Sequence, residues 1–82
     1  MSENKPLPPD PEGMNDERAQ WAHEGLKTYA AATGMSIEVK PDDAASDFLA
    51  DVMHWCDRHG QDFEHLLARA RNHYDAETAD GT

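Results

Sequence analysis

Asp47-Phe48-Leu49-Ala50-Asp51-Val52-Met53-His54-Trp55-Cys56-Asp57-Arg58-His59-Gly60-Gln61-Asp62-Phe63 is the stretch whose reading decides the fold. With Ala45 just upstream, Phe48, Leu49, Val52, Trp55, Cys56 and His59 recur at three- and four-residue steps and define one helical face. The pattern stops at Gly60, a residue suited to the left-handed position that ends a helix, and Asp62 is placed to cap the next one. Two helices must therefore meet across a sharp turn. Phe63, Leu66, Leu67, Ala70 and Tyr74 carry the helical spacing on to about Thr78, so this second pair is expected to supply the main core.

Upstream, Pro41 suits a first helical turn, and Asp42 and Asp43 suit its cap and dipole. An earlier helix is expected from Asn15, as N-cap, to Thr33, with Gly34 as its stop; Ala19, Ala22, Leu26, Tyr29, Ala30 and Thr33 form its apolar face. Between these helices, Met35-Ser36-Ile37-Glu38-Val39-Lys40 alternates apolar and polar but has no second strand to pair with. An extended linker is expected, with Met35, Ile37 and Val39 packed on the helices. Residues 1–13 hold Pro6, Pro8, Pro9, Pro11 and Gly13 with Leu7 as their one large apolar side chain apart from Met1, the composition of a disordered leader. The expectation is all-α: a compact three-helix domain over residues 14–79, with helices near 15–33, 42–59 and 62–78 and a disordered N-terminal tail.

Composition bounds what such a domain can do. In 82 residues there is room for one core, and 12 of the hydrophobic residues are alanines, so that core is thin. Lys and Arg total 7 against 17 Asp and Glu, a net charge of −10, which opposes approach to phosphate backbones and anionic lipids. Direct binding to nucleic acid or membrane is not expected. No secretory signal or spanning segment is evident, so a cytoplasmic location is expected. Cys56 stands alone and cannot form an intramolecular disulfide.

Reactive residue types concentrate at His54-Trp55-Cys56-Asp57-Arg58-His59. Cys56 and His59 lie one turn apart, a spacing that suits a shared metal ion or a nucleophile-base pair, with His65 or His73 as further ligands. Both also fall on the apolar face, where a buried thiol beside a histidine is the commoner outcome. No metal, cofactor or catalytic set is therefore assigned, and no enzyme is expected. The tight turn also invites a helix-turn-helix reading, but residues 41–82 hold ten acids against three arginines, and the third helix offers only Arg69 and Arg71 to a phosphate.

What remains is an acidic ridge. Asp43, Asp47, Asp51 and Asp57, with His54 and Arg58, are expected on the outer side of the second helix, and Trp21 and Trp55 are candidate aromatic contacts.

Three segments carry a resemblance: Arg18-Ala19-Gln20-Trp21-Ala22, Ala31-Ala32-Thr33-Gly34, and the central run from Asp47 to Phe63. Together with Arg71-Asn72-His73-Tyr74-Asp75-Ala76-Glu77, they make the chain resemble short, acidic, uncharacterised proteins of phages, prophages and integrative elements. The likeness covers most of residues 15–78 and departs at Met35 to Lys40, where the family has an acidic stretch. It implies a mobile-element origin, no established activity and no catalytic residue. The expected function is a non-enzymatic acidic interaction protein that binds a protein partner with a basic surface. Its sharper form is an inhibitor of a host defence complex, of anti-CRISPR or anti-restriction type, occupying a surface that binds nucleic acid. Alternatives are a homodimeric structural or assembly accessory that uses Trp21 and Trp55, and a metal-linked regulator.

Overall fold

Two glycines at positive φ decide where the chain turns. Gly34, at φ 76°, closes the first helix with its N–H directed at the carbonyls of Ala30 and Ala31, and Met35 N–H follows onto Ala30 O at 2.8 Å. Gly60, at φ 66°, closes the second, and Gln61 N–H returns to Cys56 O at 2.9 Å. A Cβ at either position is strained by the backbone alone. The computed structural model describes residues 6–80 and contains three helices among them: α1 (Asn15–Thr33), α2 (Pro41–Arg58) and α3 (Phe63–Glu77). The all-α three-helix architecture follows the sequence pattern closely, with no strand among the described residues.

The starts of the helices use three different devices. At α3, the Asp62 carboxylate accepts the N–H groups of Glu64 at 3.0 Å and His65 at 3.3 Å, as its position before the apolar run predicts. At α2, Pro41 occupies the first turn and Lys40 the cap position, with no side-chain cap; Asp42 and Asp43 sit inside the first turn, where they face the positive end of the dipole. At α1 the expected N-cap, Asn15, is already helical. The service comes from Asp10, whose carboxylate accepts the N–H groups of Met14 at 3.2 Å and Asn15 at 3.3 Å. Asp10-Pro11-Glu12-Gly13 is itself a turn, closed by Gly13 N–H on Asp10 O at 3.1 Å. Of the residues read as a leader, 1–5 lie outside the described residues, while 10–13 are fastened to the head of α1.

The core lies elsewhere than the sequence pattern suggests. Ala30, Ile37 and Ala44 form one buried cluster, with Leu26 and Met35 packed against it, so the centre of burial joins α1, the linker and α2. The segment 35–40 reaches it as a turn rather than an extended run, with Lys40 N–H on Ser36 O at 3.0 Å, and this geometry turns Ile37 inward while Val39 stays exposed. Cys56 is buried apart from that cluster. α3, expected as half of the main core pair, contains no fully buried residue: Phe63 and Leu66 are half-buried, and Leu67, Ala70 and Tyr74 are exposed. Ala19, Ala22 and Thr33 of α1, Leu49 and Trp55 of α2, and His59 just after α2, also expected inside, are exposed as well.

The reason is how α3 is held. Its far end is tied to the head of α1 by polar contacts: Asn15 Nδ2 donates to Glu77 O at 2.8 Å, and Arg18 Nε lies 3.4 Å from the Glu77 carboxylate. Arg18 also donates to Asn15 Oδ1 at 2.7 Å and pairs with Glu12 at 2.8 Å, and these acids hold its guanidinium above the ordinary arginine range, Glu12 first. The helices thus meet at their ends, leaving inward-facing positions such as Ala19 and Ala22 uncovered.

Asp10→Ala removes the acceptor for two helix-head N–H groups and should lower thermal stability by about 0.5–2 kcal/mol, the usual range for losing an N-terminal cap. Truncation of residues 1–9 should leave circular dichroism and the melting midpoint nearly unchanged. If both variants behave alike, the cap assigned to Asp10 is wrong.

Candidate functional site

A helix advances about 100° per residue, so Asp43, Asp47 and Asp51 line up at four-residue steps while Asp57 falls about 120° away from Asp51 around the axis. The ridge is therefore two features. Asp47 and Asp57 are exposed and carry no ion pair among the described residues. Asp43 is exposed, with Lys40 Nζ at 3.9 Å from its carboxylate, a separation worth little between two solvated side chains.

Asp51 belongs to the fold as much as to the surface. Its carboxylate accepts the Tyr29 hydroxyl at 2.5 Å, joining α1 to α2, and the Tyr29 ring lies 4.9 Å from Phe48 at a 39° tilt. The hydrogen bond to Asp51, desolvation, and the negative charges of Asp51 and Asp47 push the tyrosine hydroxyl up to about 12. Sequence periodicity places Tyr29 on the inner face of α1 and Asp51 on the outer face of α2, and so misses their meeting. Both lie on the flanks of their helices, where a short carboxylate and a long phenol can bridge a crossing.

The outer side of α2 is not uniformly polar. Leu49 and Met53, one turn apart, are 54% and 46% exposed, and around the helix they border the side that carries Asp57. The surface thus combines an apolar strip with an aspartate margin. Trp55 is half exposed and stacks on the His59 ring, with centroids 4.4 Å apart and planes at 16°, while His59 Nδ1 sits 2.8 Å from Trp55 O. Trp21 is exposed on α1 with no ring contact among the described residues.

Cys56 and His59 sit in different surroundings. The Cys56 thiol is buried, while His59 is exposed and turned onto Trp55, and no group of three or more His, Cys, Asp or Glu side chains able to hold a metal occurs among the described residues. Two shallow clefts flank α3 instead. One, of about 340 Å³, is lined by Leu7, Pro8, Ala19, Tyr74 and Thr78 with polar edges at Asp10 and Arg18; the other, about 440 Å³, by Leu67, Ala70, Arg71 and Tyr74.

No protein-family model matches the chain, and no curated protein or solved structure is significantly similar to it. No helix among the described residues is long and apolar enough to cross a membrane.

The Tyr29–Asp51 contact has a definite alkaline signature. Because the folded-state pKa is raised above the unfolded value near 10, its contribution is fully present below pH 10 and is lost as pH rises toward about 12, when the unfolded chain releases the proton more readily. Chemical denaturation of wild type against Tyr29→Phe should show the wild type losing the greater share of its stability across that window. Equal slopes would sever the link. In the same assay, Cys56→Ala should be destabilised by about 1–2 kcal/mol through lost buried volume, with no effect of a chelator on wild type.

Proposed function

We propose that this chain is a non-enzymatic interaction protein of phage or mobile-element type, acting in the bacterial cytoplasm by covering a basic protein surface that otherwise binds nucleic acid. The observation that carries this reading is the outer side of α2, where the uncovered side chains of Leu49 and Met53 border exposed Asp57, and exposed Asp43 and Asp47 continue the acidic surface further round the helix. Apolar anchors supply binding energy once desolvated, and the charged margin selects a partner of opposite sign and speeds encounter. The net charge of −10 extends that selection beyond the contact itself. A host defence complex with an exposed nucleic-acid channel is the partner class that fits this chemistry best. Asp51 is excluded from the contact set, because its carboxylate is already engaged by Tyr29.

The test is capture from a bacterial lysate on immobilised protein, followed by competition. The captured partner should be released steeply by salt, since screening shortens to about 10 Å at 0.1 M ionic strength, and should also be released by duplex or single-stranded DNA. Asp47→Lys with Asp57→Lys should weaken capture by at least about tenfold, the effect of about 1.4 kcal/mol. Asp43→Lys is best measured separately, because a cation in the first turn of α2 opposes the dipole and costs about 0.3–1 kcal/mol of stability. Leu49→Ser and Met53→Ser should weaken the same partner without altering the salt slope. A partner held unchanged by all four variants would refute the α2 surface.

A further inference from the structure

Phe63, Leu67, Ala70 and Tyr74 follow one another along α3 at steps of four, three and four residues, the spacing of a two-helix seam rather than of a broad core-facing stripe. The structure half-buries Phe63 and leaves the rest of that seam open. Leu67 and Tyr74 are each 48% exposed, Ala70 is exposed, and α3 has no fully buried residue. The cleft at Leu67, Ala70, Arg71 and Tyr74 lies along it, and Tyr74 also lines the second cleft against Leu7, Pro8 and Ala19. Tyr74 thus joins the exposed apolar margin of α3 to a cleft at the head of α1 whose rim is polar at Asp10, Asn15, Asp16 and Arg18.

We infer that this margin of α3 is the interface with a second copy of the chain, in which α3 packs antiparallel on its twin about a two-fold axis. Three features select that occupant. The first is size matching: antiparallel register sets Leu67 of one copy on Ala70 of the other, and Phe63 on Tyr74, so each large side chain meets a small or a complementary one, twice by symmetry. The second is charge. Glu64 and Arg71 stand seven residues apart on the same margin of the seam, and neither has an ion pair among the described residues; Arg71 instead lies over the Tyr74 ring at 5.5 Å. The two-fold axis brings Glu64 of each copy to Arg71 of its twin. A parallel arrangement sets equivalent positions on opposite margins and forms no such pair. The third is area. At about 1.5 Å per residue, α3 offers a seam about 22 Å long, and the adjoining surface at Leu7, Pro8 and Ala19 extends the footprint.

The inference does not depend on the α2 surface, and its salt response runs the other way. Two chains of charge −10 repel, so dimerisation should strengthen about threefold or more from low to moderate ionic strength. Sedimentation equilibrium of the full chain should give twice the 9.2 kDa monomer mass at tens of micromolar. Leu67→Glu and Tyr74→Glu, at half-exposed positions, should each weaken self-association at least tenfold with circular dichroism unchanged. Glu64→Arg or Arg71→Glu alone should weaken it several-fold, and the double exchange Glu64→Arg with Arg71→Glu should restore it. These charge exchanges keep the test decisive if a seam variant unfolds. A monomer throughout, a dimer indifferent to Leu67→Glu, or a double exchange without rescue would each overturn the antiparallel α3 dimer.

Discussion

The contact of Ala30 with Ala44 under Ile37 is the constraint on which the rest of the molecule depends. Alanine ends at Cβ, so two of them in one cluster let α1 and α2 come close without surrendering side-chain rotamer freedom, and Ile37 closes the space that remains. Nothing larger is as thoroughly buried except Cys56. Gly34 makes this corner, because its left-handed backbone returns the chain over the end of α1 in time for Ile37 to reach it. Tyr29 precedes Ala30, and Phe48 lies one turn beyond Ala44, so fixing the two alanines also fixes the ring contact and the hydroxyl bond to Asp51.

Since that corner involves only α1 and α2, α3 is attached by its ends. Gly60 and the Asp62 cap set its start, and Asn15, Arg18 and Glu77 hold its finish. Polar ties of this kind orient a helix but remove little apolar surface from water, and solvated ion pairs contribute at most about 1 kcal/mol each. A small chain with no disulfide and a core of small residues is left with exposed Leu67 and Tyr74 as a consequence of this attachment.

Chain punctuation was legible in the sequence, because glycine, proline and aspartate act through their own backbone preferences. Gly34, Gly60, Pro41 and Asp62 all act where local rules place them. Asp10 was legible too, since Asp-Pro-x-Gly is a turn signature, but the proline content of the leader drew attention from it. Burial was less legible. A hydrophobic period states which side of a helix is apolar and not whether another element arrives to cover it; Leu49, Leu67 and Tyr74 satisfy the period and remain exposed. Alanine carries the weakest apolar signal of all, so Ala44, the most buried residue, passed unnoticed beside Ala45. The Tyr29–Asp51 bond joins residues 22 apart and has no local signature. For the site, the acids at Asp43, Asp47 and Asp57 were legible as a surface, while the role of Asp51 required the helix crossing.

Charge is distributed in the same uneven way as burial. α2 carries five aspartates against Arg58, whereas α3 carries Glu64, Asp75 and Glu77 against Arg69 and Arg71. Repulsion between like surfaces grows with the product of their charges, so α2 is the poorest helix for contact with a second copy and the best for contact with a basic protein. α3, near neutral and apolar along one margin, has the opposite character. A pair of molecules joined through α3, as proposed, would leave both acidic surfaces free. A partner with repeated basic sites, as along a nucleic-acid channel, would then meet two linked binding surfaces, and the second contact would form at the high local concentration that the first one creates.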